Sequence, residues 1–376
     1  APTVTHGGFS ASQVEEIKRA VSIPVITVGR YTEPQFAELM VKEGRCDLVA
    51  FGRQSLADPY MPLKAQEERL EDMIPCIACL QGCVANMYAG NPVCCLVNPF
   101  LGHEAEGIAP AEKAKKVMVI GGGVVGLCAA FIAQEKGHQV TLYEASDKLG
   151  GNMRLAAYPP GKGDITNMIR SYIHRCQKDG VKIVMNCEVT PELIKEEKPD
   201  SVIIATGSKT LILPIEGIDN PAIIHGSDLL DGKRAAGKKV LVVGGGMVGC
   251  ETAAFLGEQE HDVTVIEFRD TVGADVIHEH RVYLMKDFED YGIKEITGAK
   301  VCKFYEDGVE YETADGVRHE SRGYDSVILS MGFRNYNPLE EKIKDLVPET
   351  HVIGDAIRAR RALDATKEAY EVASRI

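Results

Sequence analysis

An α/β protein with two Rossmann-type units in tandem is predicted for this 376-residue chain by three observations. The segment VMVIGGGVVGLCAAFIAQEKGHQVTLYE, Val117 to Glu144, returns as VLVVGGGMVGCETAAFLGEQEHDVTVIE, Val240 to Glu267, at a constant offset of 123 residues. Each copy reads as a β-branched strand, a G-x-G-x-x-G turn, an amphipathic helix and a second strand ending in an acid. Composition agrees: there is no Trp and there are 37 Gly, and 45% hydrophobic content is enough for packed cores and excludes a disordered or fibrous chain.

The remaining elements follow in order. Ser12–Val21 has helical periodicity, Ile23–Val28 (IPVITV) reads as a buried strand, Glu33–Glu43 as a helix opened by Pro34, and Asp47–Phe51 as another buried strand. This is a parallel β-α-β arrangement whose strands end on Val28-Gly29-Arg30 and Phe51-Gly52-Arg53. A cysteine-rich loop from Cys76 to about His103 then leads through the small and charged Gly107–Ala114 into the first Rossmann strand. Between the repeats lie a helix, Asp164–Asp179, strands near Val181–Met185 and Ser201–Ile204, and the turn Ala205-Thr206-Gly207. Beyond the second repeat, Val301–Val317 alternates like antiparallel strands with turns at Asp307-Gly308 and Asp315-Gly316. Ser326–Gly332 and His351–Asp355 then precede a terminal helix.

Charge and cysteine usage narrow the function. With 42 Lys and Arg against 55 Asp and Glu, the net charge of -13 opposes a nucleic-acid or anionic-membrane surface. The longest apolar runs are glycine-studded and too short for a membrane span, and no charged n-region leads into an apolar h-region, so a cytoplasmic protein is expected. Of eleven cysteines, five crowd between Cys76 and Cys95, which suits metal or cluster ligation better than a disulfide framework. The six scattered ones, Cys46, Cys128, Cys176, Cys187, Cys250 and Cys302, read as small core residues.

Gly121, Gly123 and Gly126 permit a tight turn and close approach to a pyrophosphate, which the helix N-terminus attracts through its free N–H groups. Glu144 ends the next strand 18 residues past Gly126, where a carboxylate can accept from a ribose hydroxyl; a glycine turn kept only for packing would not need that acid in register. Gly244, Gly246, Gly249 and Glu267 repeat the pattern at the same spacing. A carboxylate there bonds a free 2′-hydroxyl and repels a 2′-phosphate, which favours NADH over NADPH, although Arg269 could receive the phosphate. Cys76-x2-Cys79-x3-Cys83-x11-Cys95 offers the four thiolates a cubane cluster needs; zinc accepts four thiolates too, but its usual paired C-x2-C knuckles are absent. Cys94 adjoins Cys95, so spacing leaves the fourth ligand open. Gly29-Arg30 and Gly52-Arg53 suit a phosphate site at the C-terminal face of a (β/α)8 barrel, or are ordinary strand ends.

With these motifs the chain resembles the multidomain flavin reductases that join a Rossmann pair to an old-yellow-enzyme barrel. These are the bacterial-type 2,4-dienoyl-CoA reductases, 2-enoate reductases and bile-acid NADH:flavin oxidoreductases, with trimethylamine dehydrogenase more distant. C-I-A-C-L-Q-G-C followed by C-L-V-N-P is the sharpest element, and Leu96-Val97-Asn98-Pro99 selects Cys95 over Cys94 as the fourth ligand. The resemblance implies the last two βα-units of an FMN-binding TIM barrel in residues 1–70 and a [4Fe–4S] region and linker in 71–112. It implies an FAD domain in 113–214 and 331–376 and an NAD(P)H domain in 215–330. Gly29, Arg30, Gly52 and Arg53 would hold the FMN phosphate, and Cys76, Cys79, Cys83 and Cys95 the cluster. Gly121, Gly123, Gly126, Glu144 and Gly151 would hold the FAD adenosine and pyrophosphate, Gly354-Asp355 its ribityl chain, and Gly244, Gly246, Gly249 and Glu267 NADH.

The implied activity passes electrons from NADH to FAD, cluster and FMN to reduce an activated C=C bond of a small enoate, enone or acyl-CoA. No nucleic-acid or membrane partner is expected, and homo-oligomeric assembly is compatible. Residues 1–63 match only the last two barrel units, without the strands that bear the family's proton-donating Tyr and neighbouring His, so no catalytic acid is named. A pyridine-nucleotide disulfide reductase would need a C-x4-C pair, whereas Cys128 stands alone on its helix. A pure electron-transfer module resembling the Rossmann pair of glutamate synthase would leave Ile23–Arg53 without a purpose.

Overall fold

Both repeats fold around five-stranded parallel sheets in the computed structural model, which describes residues 1–376. The first sheet runs Glu349–Val352, Ser201–Ile204, Lys116–Ile120, Gln139–Tyr143, Lys182–Val184 across its width. The second runs Lys294–Ile296, Asp262–Ile266, Lys239–Val243, Ser326–Leu329, Ile224–His225. In each, the strand before the glycine turn is central and the strand order reverses beside it, which opens a crevice at the carboxyl ends. Register follows the repeat: Val117 opposes Val140, and Val240 opposes Val263. Beyond their opening lysines, Lys116 and Lys239, both central strands are buried, as parallel strands covered on two faces must be, and their Val- and Ile-rich composition answers that demand.

The helix after each turn is apolar all round. In Val124–Glu135, residues Leu127 to Ala133 have no exposed surface, because the helix packs against its own sheet and against the helices Ile165–Lys178 and Ala362–Ala373. The predicted meander is present as Lys300–Tyr305, Gly308–Glu312 and Arg318–Ser321, paired antiparallel. No helix is long and apolar enough to cross a membrane.

The chain separates into one unit of Ala1–Arg154, Asp164–Gly207 and Asn335–Ile376 and another of Leu155–Gly163 and Ser208–Arg334. The N-terminal and cysteine-rich segments therefore fall in the same unit as the first Rossmann repeat. Leu155–Gly163 belongs to the second unit because Lys162 makes a buried ion pair with Glu251 on the helix Met247–Glu258.

One expectation is corrected. The strands in Ile23–Val28 and Asp47–Phe51 shrink to Ile26–Thr27 and Leu48–Val49, and they are not buried on both faces. Thr27 points inward and bonds the Tyr31 hydroxyl at 3.0 Å, whereas Ile23, Ile26, Val28 and Leu48 are 66%, 60%, 61% and 54% exposed. Strand side chains alternate, and a two-stranded sheet covers only one face.

The N-terminal segment is latched to the first Rossmann domain at Asp72. Its carboxylate meets Lys178 at 2.5 Å and His174 at 3.0 Å on the helix Ile165–Lys178, and Arg69 at 2.9 Å. Burial alone would raise its pKa, but hydrogen bonds from Lys178, His174 and Arg69 hold it well below the usual carboxylate range. A lowered folded-state pKa contributes stability above the unfolded value of about 3.9, and that contribution is lost as pH falls below it. Asp72→Asn is therefore expected to cost about 1–2 kcal/mol at pH 7, modest because Lys178 is half exposed. In urea unfolding at a series of pH values the gap from wild type should close below pH of about 4; a gap constant with pH would contradict the latch.

Candidate functional site

The cysteine loop is held open by buried polar side chains from its neighbours. Gln54 accepts from Cys76 N–H at 2.8 Å and donates to Ile74 carbonyl at 3.1 Å. Asp58 accepts from Ile74 N–H at 3.0 Å, Asn98 donates to Leu56 carbonyl at 2.9 Å, and Thr3 donates to the carbonyls of Ile77 and Ala78 at 2.9 and 3.1 Å. Ala78 and Leu80 are forced into the left-handed region, at φ 49° and 59°, each costing about 1–2 kcal/mol relative to ordinary backbone. That conformation helps turn backbone N–H groups toward sulfur: Ala78 toward Cys76 and Gln81 toward Cys79, while Val97 and Asn98 face Cys95.

Cys76, Cys79, Cys83 and Cys95 line one small cavity whose walls are otherwise largely apolar, among them Ile77, Leu80, Leu96 and Val97. Burial pushes the Cys95 thiol up to about 12, and those of Cys76 and Cys79 are raised too; each thiolate further opposes its neighbours. Cys94 borders the cavity, but its sulfur donates to Gly82 carbonyl at 3.7 Å and accepts from Asn86 at 3.3 Å. No three His, Cys, Asp or Glu side chains converge closely enough for a single metal ion.

The two strand-end arginines have different partners. Arg30 is nearly buried, donates to the carbonyls of Pro2 and Thr3 at 3.0 and 2.8 Å, and pairs with Asp164 at the head of the helix Ile165–Lys178. Arg53 lines the cysteine cavity; one guanidinium nitrogen donates to Ala1 carbonyl at 2.8 Å, and Nη1 is buried without a partner. Gly29 is closed over by Ser10, whereas Gly52 faces open space.

The two glycine turns are built alike. A side chain at Gly126 would overlap the Gly121 carbonyl, and one at Gly249 the Gly244 carbonyl, so helix and turn meet only through glycine. Gly123 and Gly246 begin the helices Val124–Glu135 and Met247–Glu258 in extended conformation. Glu144 braces its turn, accepting from Gly122 N–H and Ser146 N–H, both at 2.7 Å. Glu267 does the same with Gly245 N–H at 2.5 Å and Arg269 N–H at 3.0 Å. Each carboxylate oxygen keeps a second lone pair for a ribose hydroxyl. Gly151 closes on Gly123, and Gly354 packs on Val125, so the carboxyl-terminal segment joins the first turn; Asp355 accepts from Arg360 N–H at 3.1 Å. Sequence reasoning missed Thr3, Gln54, Asp58 and the pair Lys162–Glu251. The only signal for them was polar residues set among apolar neighbours.

Residues 164–351, half of the chain, match the pyridine nucleotide-disulphide oxidoreductase family. Residues 2–72 match the NADH:flavin oxidoreductase / NADH oxidase family, and 119–177 an NAD(P)-binding Rossmann-like domain. The chain is 37% identical to an NADH oxidase of Thermoanaerobacter brockii over its full length, covering 59% of that protein. It is 34% identical to a cinnamate reductase of Clostridium sporogenes, again over its full length and 56% of the relative. The structure of a 2-naphthoyl-CoA reductase with 2-naphthoyl-CoA superposes on the whole chain with TM-score 0.95 at 34% identity, over 57% of that chain. The chain belongs to the pyridine nucleotide-disulphide oxidoreductase family, and its relatives, together with the match of residues 2–72, make it old-yellow-enzyme/2,4-dienoyl-CoA reductase-like.

Proposed function

We propose that this chain is the NADH-oxidising, cluster-bearing part of a flavin oxidoreductase that reduces activated C=C bonds. The observation that carries the reading is the cavity shared by Cys76, Cys79, Cys83 and Cys95 in the same unit as the first glycine turn. Four crowded thiols, three of them (Cys76, Cys79 and Cys95) raised by burial, need a positively charged centre to ionise against, and N–H groups aimed at the sulfurs already provide the surroundings a [4Fe–4S] cluster uses. Bound to this chain, flavin and cluster would supply hydride acceptance and one-electron transfer respectively.

The chain's own residues do the positioning. In the first unit, Gly121, Gly123, Gly126 and Gly151 let backbone approach the FAD pyrophosphate, and Glu144 orients the adenosine ribose. In the second, Gly244, Gly246 and Gly249 do this for the nicotinamide nucleotide, and Glu267, pinned by two N–H groups, selects the free 2′-hydroxyl of NADH. The apolar walls of the cysteine cavity keep water from the sulfurs. For FMN, the backbone at Gly29 and Gly52 and the buried, unpartnered Nε of Arg30 and Nη1 of Arg53 are the available donors. Relatives named for cinnamate and 2-naphthoyl-CoA support an unsaturated acid or acyl-CoA as the final acceptor.

Three measurements test this. Anaerobically purified protein should hold about four iron and four acid-labile sulfide. Serine at Cys76, Cys79, Cys83 or Cys95 should remove them while Cys94→Ser keeps them, and the opposite result at Cys94 and Cys95 would overturn the ligand set. NADH should outcompete NADPH, and Glu267→Ala should narrow that preference by about 1–2 kcal/mol in kcat/KM; a wild-type preference for NADPH would transfer the role to Arg269. The chain loaded with FAD should reduce a dye with NADH whether or not the cluster cysteines are intact, since hydride transfer to flavin does not involve them. Failure of NADH to bleach the flavin would remove the basis of the proposal.

A further inference from the structure

The repeat continues past its acids. Gly150 N–H donates to Gly122 carbonyl at 2.8 Å, and Gly273 N–H to Gly245 carbonyl at 2.7 Å. The side chain of Leu149 lies over Gly122 as that of Val272 lies over Gly245. The offset of 123 therefore holds in three dimensions, and two residues further on it pairs Asn152 with Asp275. There the two units part. Asp275 Oδ1 accepts from Met247 N–H at 2.9 Å, the first amide of the helix Met247–Glu258, and its carboxylate is the group nearest Gly246. An anion of the protein thus holds the donor that a dinucleotide pyrophosphate takes at a turn of this kind. At the first turn the counterpart is a neutral amide.

We infer that Asp275 is a built-in competitor for the pyrophosphate site of the second unit, making its nucleotide exchangeable, while neutral Asn152 lets the first unit retain its own. This rests on the reading of the second unit as the NADH site. A pyrophosphate entering there must displace the carboxylate from Met247 N–H and meets its charge in doing so, which weakens binding and speeds departure. A reductant must leave at each turnover, whereas a resident flavin must not, and one residue distinguishes the two sites. Asp275 is a specificity-determining residue in this sense and takes no part in bond making.

The test is equilibrium titration of the FAD-loaded chain with NADH, ADP-ribose and adenosine. Asp275→Asn keeps an oxygen for Met247 N–H and removes the charge; NADH and ADP-ribose should bind about tenfold tighter and adenosine unchanged. Asp275→Ser, also able to cap the helix, should do the same. In the reverse exchange, Asn152→Asp should lose FAD on gel filtration under conditions where wild type keeps it. Unchanged or weaker ADP-ribose binding by the neutral variants overturns the inference alone, as does an equal gain for adenosine. Failure of the wild-type chain to bind either NADH or ADP-ribose overturns the nucleotide reading and the inference with it.

Discussion

Four thiols are confined to one largely apolar cavity, where burial and mutual repulsion oppose the ionisation of Cys76, Cys79 and Cys95, and much of the first unit is arranged around that constraint. Thr3, Gln54, Asp58 and Asn98 are all nearly buried, and each uses its hydrogen-bonding capacity on backbone in or beside the loop. The left-handed Ala78 and Leu80 are held only because these contacts over-determine them. Tyr172, buried on the helix Ile165–Lys178, donates to Leu96 carbonyl at 3.2 Å and so fixes the residue after Cys95 to the first Rossmann domain. A loop this constrained keeps its cysteines on one cavity.

The Rossmann units show how one physical solution is used twice. In both, an acid at the end of the second strand bridges the glycine turn to its own chain, so the carboxylate proposed to read a ribose also stiffens the turn. The glycines are required by overlap with carbonyl oxygens and not by flexibility. Against this common frame the differences carry the specificity. Asp275 stands where Asn152 does, and Gly354 comes from the far end of the chain to pack beside the first turn.

Much of this was legible in the sequence for a simple reason: glycine turns, strands and helices are encoded by short-range periodicity, and a repeat doubles the signal. The tandem parallel sheets, the antiparallel meander and the crowding of cysteines all follow from residues near one another in the chain. The expectation of Cys95 over Cys94 needed the resemblance at Leu96-Val97-Asn98-Pro99; the Cys94 sulfur contacts Gly82 and Asn86.

Where the guanidinium groups point was decided by tertiary structure alone. Gly-Arg at the end of a strand looks the same whether the side chain meets a phosphate, a carbonyl or a carboxylate; only the arrival of Pro2, Thr3 and Asp164 settles Arg30, and only the fold of the cysteine loop brings Arg53 to it. The same holds for the exposure of Ile26 and Val28, which an apolar run alone reads as core, because burial depends on what covers a face. The sequence by itself determined the elements, the repeat and the chemical types gathered at each turn, all of them local properties. The partners of charged and apolar side chains across tens to hundreds of residues were determined only by folding, because hydrogen bonds and burial act through space and leave no periodic trace in the chain.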